Sequence, residues 1–395
     1  MSSSQSLEPA RAVDNVRAAD TTHAADTTHA ADTANAADNV RVQRKPGHVD
    51  RSRAIKTPHP VDDSEPARPS RTIPIVQTVL GLLDPSDLGV CYGHEHLLGA
   101  PPLDVSDNPD FVLDDEEAAA DELLRFRRAG GSTVVEMSTA DYGRDAAGLR
   151  RLSRRTGVHV ICATGYNKDV FSARIVEGAS VDVLANRFTA EILEGIDDTG
   201  IRAGLVKASS TLDQISPLAA RVFRAAAAAH HRTGAPISTH TEAGTMALEQ
   251  ARLLAAEGVD LRHLIIGHMD RKLDREYHLD VVSTGCFVGF DQISKTKYYT
   301  DIQRAETIAC LVDRGFGRQI LLGGDLARRS YWPGYGFTDA PGLEYILRHF
   351  VGLLRDVGLS AGQTDDLLVN NPARAFAFRV DGGDVLASQP RRQLG

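Results

Sequence analysis

Short apolar runs alternate with longer amphipathic stretches along most of the chain, from about residue 73 onward. The apolar runs are rich in β-branched residues and lie between polar or glycine-containing segments, which is typical of strands. Strands that alternate with helices form a parallel sheet whose faces the helices cover. Eight such runs are present, and eight is the strand number of an α/β protein of the (β/α)8 TIM barrel class. The predicted strands are residues 88–92, 132–137, 159–164, 203–207, 236–240, 264–268, 286–290 and 319–323.

The stretches between these runs carry leucine and alanine at three- and four-residue spacing, which predicts amphipathic helices. Residues 116–128 and 217–232 show this spacing, and a glycine follows soon after each. A last amphipathic stretch, residues 362–378, is predicted to pack across the barrel. In a barrel of this kind the chemistry lies at the carboxyl ends of the strands and on the loops that follow them.

The N-terminal segment has a different composition. Residues 18–40 repeat the sequence Ala-Ala-Asp-Thr-Thr-His with variations, and Arg, Lys, Pro and Ser are frequent from 41 to 72. Such a segment cannot bury enough apolar surface to offset the entropy lost on ordering. We interpret His23 and His29 as solvated side chains rather than metal ligands. Residues 1–72 are therefore predicted to be a disordered low-complexity tail, and residues 73–395 the barrel.

Composition narrows the partners of this barrel. The 395 residues are 42% hydrophobic, which is enough to bury a large core, and carry a formal net charge of −9. That charge disfavours nucleic-acid binding, which needs clustered Lys and Arg. There is no membrane-length apolar segment and no secretory apolar run at the N-terminus. We expect a cytoplasmic protein with neither nucleic-acid nor membrane partners.

Polar residues that can bind metal follow the predicted strands. His94 and His96 come just after the first run, and because side chains alternate along a strand, both face the same side. Other candidates end later strands, so all of them converge on one mouth of the barrel and predict a metal site. The alternative for each is structural: a buried lysine, a hydrogen-bonded core histidine or an aspartate that caps a turn. The further candidate ligands are Lys207, His240, His268 and Asp325.

Lys207 fits such a site only after chemical change, because an ammonium group repels cations. Carbamylation by CO2 would give an anionic group able to bridge two ions. The alternative is an unmodified Lys207 in a salt bridge with Asp325, in a site without metal. Between two divalent ions a bridging water ionises near neutral pH and becomes a nucleophile, with Asp325 as ligand and proton acceptor. Zinc suits this donor set, and manganese or cobalt would fit it too.

Taken together, these motifs resemble the phosphotriesterase family of the amidohydrolase superfamily, over residues 73 to about 379. The resemblance implies a binuclear zinc hydrolase in which carbamylated Lys207 bridges the two ions. It places His94, His96 and Asp325 on the more buried ion, and His240 and His268 on the more exposed one. It also implies a homodimer. The matching motifs are His94-Glu95-His96, Gly204-Leu205-Val206-Lys207, Ser238-Thr239-His240-Thr241-Glu242, Ile266-Gly267-His268 and Gly323-Gly324-Asp325.

The loops after the strands indicate the substrate. Arg271, Lys297 and Arg328 stand beside tyrosines, which favours an anionic, hydroxylated small molecule, with Tyr298 and Tyr166 as further contacts. The alternative is that these cations are solvated or pair with aspartates on the same loops, Asp270 and Asp291. The segments 165–168 and 295–299 resemble the branch of the family that acts on sugar lactones, including phosphorylated ones.

Lactone hydrolysis is therefore the leading hypothesis, with attack by the metal-bridging hydroxide and with Asp325 and Lys207 as the catalytic residues. A phosphotriesterase or a carboxylesterase that uses the same metals is the first alternative. A barrel in which metals only stabilise the fold is an alternative of another class.

Overall fold

The computed structural model describes residues 72–381, so the predicted tail, apart from Thr72, lies outside the described residues. A hairpin of β1 (Thr72–Thr78) and β2 (Gly81–Leu83) comes first. One eight-stranded parallel sheet follows, and β11 (Phe378–Asp381) then returns to pair antiparallel with β1. The strands of the large sheet are β3 (Cys91–Glu95), β4 (Thr133–Glu136), β5 (His159–Gly165), β6 (Leu205–Ser209), β7 (Ile237–His240), β8 (Leu264–Ile266), β9 (Phe287–Phe290) and β10 (Ile320–Leu322).

Each strand of this sheet pairs in parallel with the next strand along the chain, from β3 to β10. The first and last strands also meet. The backbone N–H of Asp325, just after β10, donates to the carbonyl of His94 at 3.1 Å, and the N–H of Gly324 donates to the Glu95 carboxylate at 2.6 Å. The sheet curls into a barrel with helices between its strands, which confirms the predicted (β/α)8 fold.

The helices begin and end where the sequence supplies caps. The carboxylate of Asp115 accepts from the backbone N–H groups of Glu117 and Ala118 at the start of α1, and Ser216 caps α5 in the same way. Gly234 ends α5 in the left-handed conformation that glycine favours. The helices are α1 (Glu116–Arg128), α2 (Ala146–Thr156), α3 (Asp169–Val176), α4 (Val181–Leu193), α5 (Pro217–Thr233), α6 (Ala247–Ala256), α7 (Arg275–Val282), α8 (Asp301–Asp313), α9 (Val351–Asp356), α10 (Ala361–Asp365) and α11 (Asn371–Ala375).

Most predicted strands agree with the structure to within two residues at each end, and two predicted elements differ by more. The first strand covers Cys91–Glu95 rather than 88–92, because Gly89 takes a φ of +64° and breaks the extended run. The C-terminal stretch 362–378 is not one helix: a wide π-helical turn, Asp366–Asn370, separates α10 from α11, and Phe378 belongs to β11.

The C-terminal segment closes the amino end of the barrel. The side chain of Asn371 donates to the carbonyls of Gly317 at 2.8 Å and Ile320 at 2.7 Å, next to the start of β10. Phe376 is fully buried and joins the apolar cluster inside the barrel, which includes Ile161 and Leu205. The barrel interior is therefore apolar at this end. Among the described helices, none is both long and apolar enough to cross a membrane.

Candidate active site

Asp325 lies beside His94 of β3 and His96, which directly follows that strand. Its Oδ1 is 3.3 Å from Nε2 of His96 and 3.7 Å from Nε2 of His94. On the other side of its ring, Nδ1 of His96 is 2.8 Å from the Ser138 hydroxyl, which holds the ring in place. Both imidazoles reach one carboxylate, so His94 and His96 face the same side, as the alternation of side chains along a strand predicts. These three side chains form a group that could hold a metal ion.

His268 and His240 lie beside this group. The ring of His268 is 4.6 Å from that of His94 and 4.5 Å from that of His240, between centroids. Nδ1 of His268 is 2.7 Å from Oδ1 of Asp291, and the backbone N–H of His268 donates to the same carboxylate. Since a carboxylate can only accept, the contact places the proton on Nδ1 and leaves Nε2 of His268 as an electron-pair donor. His94, His268 and Asp291 form a second group able to hold a metal.

The donor set fits a divalent cation. Nε2 of His94 is buried and has no hydrogen-bond partner among the described residues. Burial, with the nearby Lys207 and His268, holds the pKa of His94 well below its usual value, and burial lowers the pKa of His240 to about 3. Both imidazoles are therefore neutral, which is the form that binds metal. A buried nitrogen lone pair without a partner is costly unless something accepts it.

Two of the predicted ligands have strained backbones. His268 and Asp325 have φ values of +59° and +45°, in the left-handed region that residues other than glycine rarely occupy. The hydrogen bonds from their own N–H groups, to Asp291 and to the carbonyl of His94, hold them there. Backbone strain of this kind concentrates at functional sites, where a side chain must be held in one direction.

Lys207 is buried in the same end of the barrel, with only 2% of its surface exposed. Its Nζ has one weak contact, at 3.4 Å from the carbonyl of Met137. The alternative salt bridge with Asp325 is not formed, since no contact within 4.0 Å joins them. Burial lowers the pKa of Lys207, although Asp325 and Asp141 act to raise it. A neutral amine is the form that reacts with CO2, so the surroundings of Lys207 fit a carbamate.

Lys295, rather than Lys207, is the cation that contacts Asp325. Its Nζ donates to Oδ2 of Asp325 at 2.9 Å and to the carbonyl of the same residue at 2.5 Å, and Gln292 also donates to Oδ2 at 2.7 Å. Burial acts to raise the pKa of Asp325, but Lys295 and the histidines outweigh it and hold that pKa well below its usual value. Neither Lys295 nor Gln292 was predicted from the sequence as a site residue. The sequence feature that points to them is the run of polar residues directly after β9.

A buried ion pair supports the loop that carries Lys295. Nε of Arg304 on α8 is 2.9 Å from Oδ2 of Asp270, and both side chains are fully buried. Asp270 accepts from the backbone N–H groups of Asp291 and Gln292, and Arg304 donates to the carbonyl of Lys295 at 3.1 Å. The Arg304–Asp270 ion pair therefore fixes the backbone of the loop after β9.

Three of the predicted substrate contacts lie together, because two cations flank Tyr298. The guanidinium of Arg271 lies 3.7 Å from the centroid of the Tyr298 ring, and Nζ of Lys297 lies 4.8 Å from it. Neither cation is within 4.0 Å of a described carboxylate, because Asp270 is taken by Arg304 and Asp291 by His268. Pairing with those two aspartates, the alternative considered from the sequence, is not observed.

Arg328 lies on a different part of the mouth. Its guanidinium is 4.2 Å from the Phe111 ring and 3.5 Å from Oδ2 of Asp110. The side chain is 31% exposed, so one face is open to solvent. Arg328 is therefore partly neutralised, in contrast to Arg271 and Lys297.

Tyr166 is not brought together with these residues. Its ring packs against Phe188 of α4 and beneath Arg187, between the sheet and the helices, and the residue is only 1% exposed. The preceding Gly165 has a φ of +92°, and a Cβ there would lie 2.0 Å from the carbonyl oxygen of Lys207. This glycine turns the chain so that Tyr166 faces outward. We therefore do not retain Tyr166 as a substrate contact.

Known proteins share this architecture. The sequence profile of the phosphotriesterase family matches residues 74–376. The chain is 33% identical over 322 residues to a phospho-furanose lactonase from Mycoplasmopsis synoviae (strain 53), covering 76% of this chain and 91% of that protein.

Two solved structures are similar as well. A lactonase from Listeria monocytogenes has a TM-score of 0.73 and 36% identity, over 77% of this chain and 99% of that one. A phosphotriesterase homology protein from Escherichia coli, complexed with phosphate in its active site, has a TM-score of 0.71 and 37% identity, over 74% of this chain and all of that one (100%). The chain therefore belongs to the phosphotriesterase family of hydrolases.

Proposed function

We propose that this protein hydrolyses a phosphorylated sugar lactone. The observation that carries the proposal is the combination of a His/Asp cluster able to hold metal with unneutralised cations, Arg271 and Lys297, at the same end of the barrel. Similarity to a phospho-furanose lactonase, and to a protein with phosphate in its active site, supports the same substrate class.

Two divalent ions would be held by the six residues that the sequence indicated. His94, His96 and Asp325, which lie close enough together to hold an ion, would bind one of them, and His240, His268 and a carbamylated Lys207 would supply further ligands. When bound, such ions, zinc in the first instance and manganese or cobalt otherwise, supply Lewis acidity to the scissile carbonyl and ease ionisation of water.

Asp325 would accept and then donate the proton that moves during hydrolysis. Lys295 and Gln292 orient its Oδ2, and its low pKa keeps the carboxylate ionised and able to accept. We infer that Asp325 takes a proton from the water that attacks the lactone carbonyl and transfers it to the ring oxygen when the ester bond breaks. Water is consumed, the C–O bond opens, and the product is a hydroxy acid.

The cations of the mouth would bind the phosphate. The guanidinium of Arg271 lies over the Tyr298 ring and has no carboxylate partner among the described residues, so its N–H donors are available for phosphate oxygens. Lys297 on the same tyrosine and Arg328 on Phe111 add positive charge. A phosphate monoester carries close to two negative charges, so two or three cations suit it better than they suit a neutral triester.

A panel of sugar lactones, each with and without a terminal phosphate, tests the proposal on zinc-loaded and manganese-loaded protein. We expect kcat/KM to be at least about tenfold higher for the phosphorylated member of each pair, which corresponds to about 1.4 kcal/mol of transition-state binding. Higher turnover of neutral phosphotriesters or aryl esters would instead favour a phosphotriesterase or a carboxylesterase.

Metal analysis of the same samples tests the remaining alternative. About two bound ions per chain without turnover of any lactone, ester or phosphotriester would support a barrel that metals only stabilise. The homodimer and the cytoplasmic location stay predictions.

A further inference from the structure

A cavity of about 390 Å³ lies at the amino end of the barrel, the end opposite the histidines. The hairpin of β1 and β2 forms one wall, and its Val79 N–H donates to the carbonyl of Val160 at 2.9 Å, near the start of β5. Helix α2 and the segment before β6 form the others. Three arginines line the cavity, Arg150, Arg154 and Arg202, and none of the described residues that line it is acidic.

Helix α2 shows how these arginines differ from ordinary surface arginines. It carries two pairs, and the members of each pair are four residues apart, on one face of the helix. Arg151 and Arg155 face α1 and are neutralised there: Nε of Arg151 is 3.1 Å from the Glu116 carboxylate, and Nη1 of Arg155 is 2.5 Å from that of Glu117.

The other pair has no such partner. Arg150 and Arg154, together with Arg202, have no described carboxylate within 4.0 Å. Arg150 donates to the carbonyl of Thr199 at 3.2 Å, which holds its guanidinium against the segment before β6. Arg150 and Arg202 are half-buried, so solvent screens their charges less than it would on an open surface.

Three cations around one cavity repel each other, and an anion placed between them would remove that cost. Guanidinium groups offer forked N–H donors that match phosphate oxygens. The lining also includes the exposed Leu80 and the half-buried Leu82, which offer apolar surface to the rest of a ligand. A volume of about 390 Å³ lies within the range of roughly 300–1,000 Å³ that is usual for small-molecule sites.

We propose that this cavity is a second binding site, for a phosphorylated small molecule whose phosphate is held by Arg150, Arg154 and Arg202. The site is separate from the catalytic mouth, so it does not depend on the function proposed above. Its ligand needs neither the metal cluster nor the lactone chemistry.

Calorimetric titration of the full chain with inorganic phosphate tests the site. The double variant Arg150→Gln/Arg154→Gln removes two cations from the cavity. Arg151→Gln/Arg155→Gln is the matched control, because it removes the same charge from the same helix on the face that Glu116 and Glu117 already neutralise. We expect the wild-type chain and the control to bind one phosphate more than the cavity variant, or to bind it at least about tenfold more tightly.

Two further readouts make the result decisive. Hydrolytic activity equal to wild type in both double variants would show that each folds and that the lost binding is not at the catalytic mouth. Succinate, a dianion without phosphate geometry, should bind the wild-type chain more weakly than phosphate does. Equal phosphate binding by the two double variants would overturn the site, and equal binding of succinate and phosphate would overturn the assigned ligand class.

Discussion

At the carboxyl end of the barrel, many buried side chains are polar and two of them lack strong hydrogen bonds, whereas at the amino end the interior of the barrel is apolar. Among the described residues, Nε2 of His94 has no hydrogen-bond partner and Nζ of Lys207 has one weak contact, and Asp325 has a strained backbone. At the other end, Phe376 fills the barrel interior and the Asn371 side chain is fully hydrogen-bonded to carbonyls. This difference indicates that the amino end of the barrel mainly stabilises the fold, whereas the carboxyl end holds the side chains for chemistry.

The largest expected effect comes from the carboxyl end. Asp325→Asn keeps the shape of the side chain but removes the negative charge and the capacity to accept a proton. We expect kcat on the best substrate to fall by about three to four orders of magnitude, the upper part of the range for general acid–base groups. Steady-state kinetics measures the loss.

The contrast between the two ends of the barrel requires that the Asp325→Asn variant still fold. Asparagine adopts the left-handed conformation of residue 325 as readily as aspartate does, but the substitution leaves the Lys295 ammonium without its carboxylate partner, so the free energy of unfolding should fall by only about 1–3 kcal/mol. A variant that loses activity only because it unfolds at the assay temperature would contradict the separation of the two ends.

The next effect comes from the amino end. Phe376→Ala removes a fully buried ring and should lower the free energy of unfolding by about 3 kcal/mol or more. Because Phe376 lies far from the histidines, we expect kcat and KM at 25 °C to stay within about twofold of wild type. Denaturant titration and kinetics on the same sample measure both quantities.

Phe337→Ala is the matched control for that experiment. It is the same substitution at a side chain that is 47% exposed, so the change in stability should be within about 0.5 kcal/mol. If both phenylalanines proved equally costly, the closure of the barrel by the C-terminal segment would not be what stabilises the amino end.

A smaller effect is expected from Lys295→Met, which removes the cation beside Asp325 but keeps the length of the side chain. Hydrogen bonds to charged groups contribute about 1.5–3 kcal/mol, so kcat should fall by roughly 10- to 100-fold with little change in KM. Lys297→Met is the control, because this lysine is exposed and contacts Tyr298 instead. An equal loss of kcat in both variants would show that general charge, and not orientation of Asp325, is responsible.

The contrast between these two lysines shows how far the sequence could predict the site. Strand alternation and strand-end position are local rules, and they predicted that His94, His96, His268 and Asp325 converge, as their side chains do in the structure. Lys295 and Lys297 both follow β9, however, and nothing local distinguishes them. The buried Arg304, on the helix that follows, fixes the loop so that Lys295 points inward.

Tyr166 was misplaced for a related reason. The residue follows a predicted strand, but Gly165 has a φ of +92° and lies too close to the backbone of Lys207 for a Cβ to fit. The directions of the Tyr166 and Lys295 side chains depend on contacts with other elements of the fold, whereas the strands and the six candidate ligands depend on periodicity within one segment. The sequence therefore predicts positions along the barrel axis better than the direction of side chains on loops.

The smallest expected effects belong to the exposed cations of the mouth. Lys297→Ala and Arg328→Ala should each raise KM for a phosphorylated lactone by about three- to tenfold with kcat nearly unchanged, because they bind substrate and transition state alike. Arg328 should have the smaller effect, since Asp110 already neutralises part of its charge. The same lactone without phosphate should show no change in KM. Since solvent screens exposed charges, both effects should also shrink as salt rises from 0.05 to about 0.5 M. A KM for the unphosphorylated lactone that rises equally would mean that these side chains shape the mouth and do not recognise phosphate.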